Sequence, residues 1–534
     1  MIARDALSET HRNSLLRRVD WRFLLRNPQP AASLCFGDDP LAQAVAAISN
    51  QVKNAQSEAR ASCDLAVATN PDAKTLNAAW AVLEPGGVLY TEWTMPIRGR
   101  VGRVQKMLQS SGFQDVQCYW PWPLPDRSPL FWVPLGTLSA RSAWRYLLAS
   151  RPPDRHRLRQ WVRWLGRTTA YSLHELGLLT PVCAIAYKPD EDNRSSAASP
   201  SLAGWLRAHW LDWRLGPLPD EISLLLLTGG QRSVNKIVAL AFADADTSPR
   251  LVVKMPRVAD SMPGLRREAE MLKAVHARRA SPMPGVPQVV FCEEHDSLLM
   301  LGETVHSGVP LFTRLDRRNY RTWAFKATDW LIELAGTPLF VSRDDWWSHV
   351  IEPILNDFQS SFTAILDQYL IQETYRMLEQ IRSLPLICEQ RDFSPWNVLI
   401  TAQGELGVLD WESAELDGLP GLDLIYFLTY LAFFVEGVMD SGALIETYRG
   451  CWSEQTSIGR VNTECWRYYC AALKLDDALE PALRLFTWLL HARAEYARLT
   501  ADAGGQPSSE VLRRSMFVQL WEEEVRCGYA RERI

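Results

Sequence analysis

Gln390 to Glu412 reads QRDFSPWNVLITAQGELGVLDWE. Asp392 stands five positions before Asn397, and two short apolar runs follow, Val398 to Ile400 and Gly407 to Leu409. Asp410 comes thirteen positions after Asn397. The runs predict a short hairpin, and a loop followed by a hairpin brings Asp392, Asn397 and Asp410 to one pocket edge. Those residue types suit phosphoryl transfer, which needs a carboxylate to orient or deprotonate an acceptor hydroxyl and oxygen ligands to hold magnesium on the β- and γ-phosphates. Glu412, two residues further on, is a candidate additional carboxylate on the metal side, with an exposed glutamate as the alternative.

Upstream residues offer parts for a nucleotide in the matching order. Thr228-Gly229-Gly230-Gln231-Arg232-Ser233 joins two strand-like runs, so Gly229 and Gly230 can let backbone N–H groups, with Ser233, approach phosphates. Lys254 lies in the strand-like LVVKMP, and Glu268 in the helical LRREAEML is the carboxylate expected to hold it, with Glu270 as the competing choice. This order, with D-x-x-x-x-N and an Asp after a hairpin, resembles the aminoglycoside phosphotransferase and choline kinase-like family. The resemblance covers about residues 218 to 500 and extends into LPGLDLIYF at 419–427. It implies a bilobal protein-kinase-like fold, a hinge at Leu301 to Leu311, and ATP with Mg2+ as cofactors. Asp392 would then activate the acceptor, Asn397 and Asp410 would hold the metal, and Lys254 the phosphates. The family usually carries His two positions before the catalytic Asp, where this chain has Gln390 followed by Arg391. The implied function is ATP-dependent phosphorylation of a hydroxyl on a small polar molecule such as a sugar, amino sugar or amino alcohol. Its rival is a non-catalytic pseudokinase or scaffold that binds nucleotide or a partner. Glu415 and Asp417 are candidates to attract a cationic acceptor.

The N-terminal part has another pattern. Ser33 to Phe36, Asp64 to Ala68 and Val88 to Glu92 read as strands, with helical stretches from Leu41 and at Leu76 to Leu83. With LEPGGVLYTEW and LQSSGFQDV this resembles a class I methyltransferase, a Rossmann-like fold, over about residues 30 to 140. The first turn, Phe36-Gly37-Asp38-Asp39-Pro40, holds one glycine, and Asp64 follows Gly37 too closely for the usual intervening strands. A degenerate domain without cofactor machinery is expected. The polar stretch Lys188 to Ser201 marks a break. The expected division is therefore 1–188 for the methyltransferase-like domain, 189–217 for a linker and 218–534 for the kinase-like domain, an α/β plus α+β chain. A fragment starting near Ser201 is expected to bind Mg-ATP like the whole chain.

Composition limits the remaining classes. The 534 residues are 47% hydrophobic and 22% charged, which excludes a disordered or fibrous chain and predicts more than one domain. A net charge of -5 advertises no nucleic-acid partner. The ten cysteines form no C-x-x-C pair and no zinc spacing, which fits a reducing, cytoplasmic setting. No export signal or membrane span is predicted. Arginines between Arg141 and Arg167, with interleaved tryptophans, suit either peripheral contact with an anionic membrane surface or an exposed basic helix. The oligomeric state is not readable from the chain.

Overall fold

The computed structural model describes residues 9–25, 27–37, 39–54, 62–94, 101–149, 169–173, 181–190, 201–230, 232–295, 298–340, 342–381, 384–439 and 443–531. The chain divides into two compact units, Met1–Arg266 with Gln288–Ser307, and Arg267–Pro287 with Gly308–Ile534.

The first unit is built on one mixed sheet of twelve strands. In chain order these are β1 (Ala32–Phe36), β2 (Gln51–Asn54), β3 (Cys63–Thr69), β4 (Leu83–Trp93), β5 (Gln114–Trp122), β6 (Phe131–Leu135) and β7 (Val182–Tyr187). They continue with β8 (Ile222–Leu227), β9 (Lys236–Ala243), β10 (Leu251–Pro256), β11 (Val289–His295) and β12 (Leu298–Glu303). The spatial order is β11-β12-β10-β9-β8-β6-β5-β7-β4-β3-β1-β2. Strands β2, β1, β3 and β4 run parallel, β7 is antiparallel to β4, and everything from β5 to β11 pairs antiparallel. Because side chains alternate across a sheet, Leu224 and Leu226 of β8 join one apolar core while Leu225 joins the core on the other face. Helices Glu9–Arg18, Asp39–Ala46 and Leu202–His209 contribute to the first core, and Ala73–Val82, Val101–Ser110 and Ala140–Ala149 to the second.

The compact units depart from the division expected from composition. Strand β6 pairs with β8 at Phe131↔Leu227 and Trp132↔Leu226, so strands from both sides of the Lys188 to Ser201 break belong to one sheet. The expected linker, 189–217, contains the helix Leu202–His209, whose Leu202, Trp205 and Leu206 are buried. Burial of Leu202, Trp205 and Leu206, just after that polar stretch, keeps this part of the chain on the sheet. The basic stretch reaches the described residues only through the helix Ala140–Ala149; positions 150–168 lie outside them. Among the described residues no helix is long and apolar enough to cross a membrane.

Two residues of the N-terminal turn have local explanations. A Cβ on Gly37 would lie 2.8 Å from Thr69 Oγ1. Asp64 accepts from the backbone N–H groups of Ala31 and Ala32, both at 2.8 Å, and so fixes the entry to β1.

The second unit is mainly helical. Its long helices include Tyr320–Ala335, Leu422–Glu436, Ser457–Leu473 and Glu480–Ala503. Leu422–Glu436 is buried along most of its length, from Leu422 to Phe433, which explains its continuous apolar sequence. The predicted hairpin is present as Val398–Ile400 and Leu406–Val408, antiparallel with Val398 opposite Val408.

Candidate active site

In the second unit the loop after strand Pro385–Glu389 carries Gln390, Arg391 and Asp392. Asn397 closes the loop at the hairpin start, and Asp410 follows the hairpin's second strand. Asn397 Nδ2 donates to the Asp392 carbonyl at 3.0 Å and to Asp392 Oδ2 at 2.8 Å. With its amide nitrogen turned to Asp392, Asn397 keeps a side-chain oxygen for another partner. Leu409 N donates to Asn397 O at 2.9 Å, tying the residue before Asp410 to the loop. Thus Asp392, Asn397 and Asp410 do come together.

Gln390 supplies the stitch. It is fully buried; its Nε2 donates to the carbonyls of Leu409 (3.0 Å) and Asp410 (2.6 Å), and its Oε1 accepts from Asp392 N at 2.8 Å. Donor and acceptor on one amide therefore connect the Asp392 loop to the Asp410 backbone. Asp423, in the first turn of Leu422–Glu436, accepts from Gln390 N at 2.6 Å and Arg391 N at 2.8 Å. Arg391 adopts φ +65, a left-handed conformation that is costly for a side-chain-bearing residue, and Asp410 adopts φ +62. Arg391 is held there from both ends, its N–H on Asp423 and its Nε 3.1 Å from Glu389 Oε2.

Carboxylates crowd this loop, and burial dominates their chemistry. Burial pushes the Asp392 carboxyl up to about 7; the negative charge of Asp410 adds to this and the Asn397 hydrogen bond opposes it. Asp423 is raised to about 6 by burial against the two backbone N–H bonds it accepts. Glu389 is raised to about 8, again mainly by burial, with Arg391 opposing. Glu412 is half-buried and adds negative charge near Asp392.

Glu268 is buried and Glu270 exposed, which separates the two candidates on the helix Met262–Ala277. Glu268 Oε1 accepts from Trp411 N at 3.1 Å, the residue after Asp410. In the first unit Lys254 Nζ lies 2.9 Å from Glu303 Oε1, at the end of β12, a partner sequence reasoning missed. Gly229 and Gly230 form the turn after β8, with Gly230 at φ +134. A Cβ there would lie 2.7 Å from the Asn235 side chain, so this position requires glycine on two counts. Ser233 is buried beside the loop. Glu415 is ion-paired with Arg267 (3.3 Å) and Arg391 (3.6 Å), and Asp417 with Arg278 (2.9 Å). Those arginines offset the charge expected to draw a cationic acceptor.

No family model matches the chain, and no curated protein does. Solved structures are similar to part of it. An ADP-bound aminoglycoside phosphotransferase is 14% identical, with 60% of this chain and 98% of that chain covered and a TM-score of 0.35. An ethanolamine kinase from Plasmodium vivax is 10% identical over 57% of this chain and 81% of its own, TM-score 0.32. A macrolide 2'-phosphotransferase from Brachybacterium faecium is 15% identical over 54% and 94%, TM-score 0.31.

Three residues outside the predicted set contact the predicted ones: Gln390 beside Asp392, Asp423 on the helix Leu422–Glu436 bonded to that loop, and Glu303 beside Lys254. The sequence did contain a signal for Asp423, a lone acid opening the apolar run Leu422 to Phe433. Glu303 had none, since it lies 303 - 254 = 49 positions from its partner.

Proposed function

We propose that the chain is an ATP-dependent phosphotransferase acting on a hydroxyl of a small polar molecule, in the chemical range of sugars, amino sugars and amino alcohols. The observation that carries this reading is the Asp392, Asn397 and Asp410 set, held by Gln390 in a network that leaves each side chain a distinct task. Asp392 orients the acceptor hydroxyl and takes its proton; a carboxyl raised to about 7 is matched to proton transfer near neutral pH. Asn397 and Asp410 hold Mg2+. The fit is chemical: the Asn397 amide oxygen faces away from the donors given to Asp392, and the mutual repulsion of Asp392, Asp410 and Glu412 is relieved by a divalent cation. When bound, the ion neutralises charge on the transferring phosphoryl group. Gly229, Gly230, Ser233 and Lys254 serve the nucleotide phosphates, with Glu303 keeping Lys254 in place, and Glu268 steadies the backbone after Asp410.

The N-terminal strands are read as a methyltransferase-like remnant, supported by parallel β2-β1-β3-β4 continued by antiparallel β7 and then β5. A kinase-like region from about residue 218 and a reducing compartment complete the proposal; none of the ten cysteines is in a disulfide, and seven are buried.

The test is ADP release from Mg-ATP with panels of sugars, amino sugars and amino alcohols. Acceptor-dependent release that disappears in Asp392→Asn supports the reading. Tight Mg-ATP binding with no release across all panels would favour the scaffold alternative.

A further inference from the structure

We infer that Asn13, Asp20 and Arg22, far from the glycine loop in sequence, position that loop through Arg257. The inference rests on reading Gly229 and Gly230 as nucleotide-binding. Its centre is Arg257, which follows β10 and whose side chain, like that of Asp20, is 0% exposed. All five of its N–H donors are engaged. Nε and Nη2 meet the Asp20 carboxylate at 3.2 and 3.0 Å. Nη1 donates to Asn13 Oδ1 at 3.2 Å and to the Arg232 carbonyl at 2.9 Å. Nη2 also donates to the Thr228 carbonyl at 2.8 Å. Arg22 Nη2 donates in turn to the Arg257 carbonyl at 2.7 Å.

Thr228 and Arg232 flank the two glycines, so one guanidinium binds the carbonyls at both ends of the loop and sets its span. A second tie comes from the turn before β6. Thr228 N donates to Leu130 O at 2.9 Å and Thr228 Oγ1 to Pro129 O at 2.7 Å. Arg17 Nη2 donates to Ser128 O at 2.7 Å and Pro129 O at 3.3 Å, so the helix Glu9–Arg18 braces that turn as well. Glycines are otherwise the residues that lose most freedom when ordered, and with Thr228 N on Leu130 O and Arg232 N on Asn235 Oδ1, the amides of Gly229 and Gly230 are those the held loop offers an anion. The expectation that a fragment from Ser201 binds Mg-ATP like the whole chain is therefore reversed, because it would lack Asp20, Asn13 and the Pro129 turn.

The experiment titrates the full-length chain with Mg-ATP by calorimetry. Arg257→Lys keeps a cation opposite Asp20 but cannot bridge both loop carbonyls; Thr228→Val keeps the shape and deletes one hydroxyl. Arg18→Lys is the control, because Arg18 forms a neighbouring buried pair with Glu92 that touches no loop residue. We expect Arg257→Lys to weaken Mg-ATP by at least ~10-fold and Thr228→Val by a smaller factor. Arg18→Lys should lower the unfolding temperature and leave Mg-ATP affinity at the parent value. Should Arg257→Lys fail to fold, Thr228→Val decides alone. Parent-like affinity in the loop variants, with only their unfolding temperatures lowered, overturns this inference and leaves the nucleotide reading standing. A parent chain that does not bind Mg-ATP overturns both.

Discussion

The glycine turn after β8 and the Asp392 loop are both fixed by buried side chains, but from opposite poles of the backbone. At the first, a cation, Arg257, takes up the carbonyls of Thr228 and Arg232. At the second, an anion, Asp423, takes up the N–H groups of Gln390 and Arg391. On the proposed reading, the difference matches two tasks. A loop anchored through its carbonyls offers amides, which suit a phosphate, and its side chains matter little, hence glycine. A loop anchored through its amides offers side chains, and there the sequence places Asp392 and Asn397. Each arrangement uses hydrogen bonds to a charged group, the stronger kind, where positional error would harm function most.

The sharpest way to break the contrast is at the two aspartates. Asp392→Ala should cut turnover by ~10²- to 10⁴-fold, the range for losing a positioned general base, while Mg-ATP affinity holds. Asp410→Ala should lower both, since a metal ligand acts in ground and transition states alike. Steady-state kinetics beside calorimetry read the split, and matching affinity losses in the two variants would assign them one shared role.

A smaller effect is expected at the anchor. Asp423→Asn replaces an acceptor of two N–H groups with an amide that accepts at one oxygen only. It should cost roughly 1.5–3 kcal/mol in urea unfolding, the value of a hydrogen bond to a charged group. Turnover should fall with it, and Mg-ATP affinity by a smaller factor, because the same loop carries Asn397 and is tied to Asp410 through Gln390. An unchanged unfolding midpoint would remove Asp423 from this role.

The mildest signature is in pH. Asp423, Asp392 and Glu389, raised to about 6, 7 and 8, hold protons more tightly folded than unfolded. Their contribution to stability is complete below about pH 4, the ordinary carboxyl range, and is lost as pH rises through those folded values. The unfolding temperature should therefore decline between about pH 5 and pH 8.5 and decline less in Asp392→Asn. Equal declines in parent and variant would detach the effect from Asp392.

Much of this was legible locally. The spacing of Asp392, Asn397 and Asp410 and the hairpin between them lie within one short stretch, where periodicity and turn chemistry act directly. Strands β8, β9 and β10 were readable for the same reason. Long-range pairing was not. Arg257 and Asp20 are 237 positions apart, and nothing near LVVKMPR names an acid in DWRFL as its partner. The only hint was the oddity of charges inside an apolar run, Asp20-Trp21-Arg22-Phe23-Leu24, all of it buried. Strand β2 escaped because Gln51–Asn54 has little apolar character. The helix Leu202–His209 escaped because the polar stretch before it was extended too far into it.

Pairing of β6 with β8 bears on how the chain tolerates being cut. Strand β8 reads Ile-Ser-Leu-Leu-Leu-Leu and lies inside the sheet between β9 and β6. A protein trimmed to begin after the break at 188–201 would turn that strand into an edge, with unpaired N–H and C=O groups along a run of leucines. Such edges are templates for strand addition by a second molecule, and β8 itself holds neither a proline nor a charge, with Asp220 and Glu221 only before its first residue. Pairing with β6 thus occupies the edge of β8 that such a truncation would open.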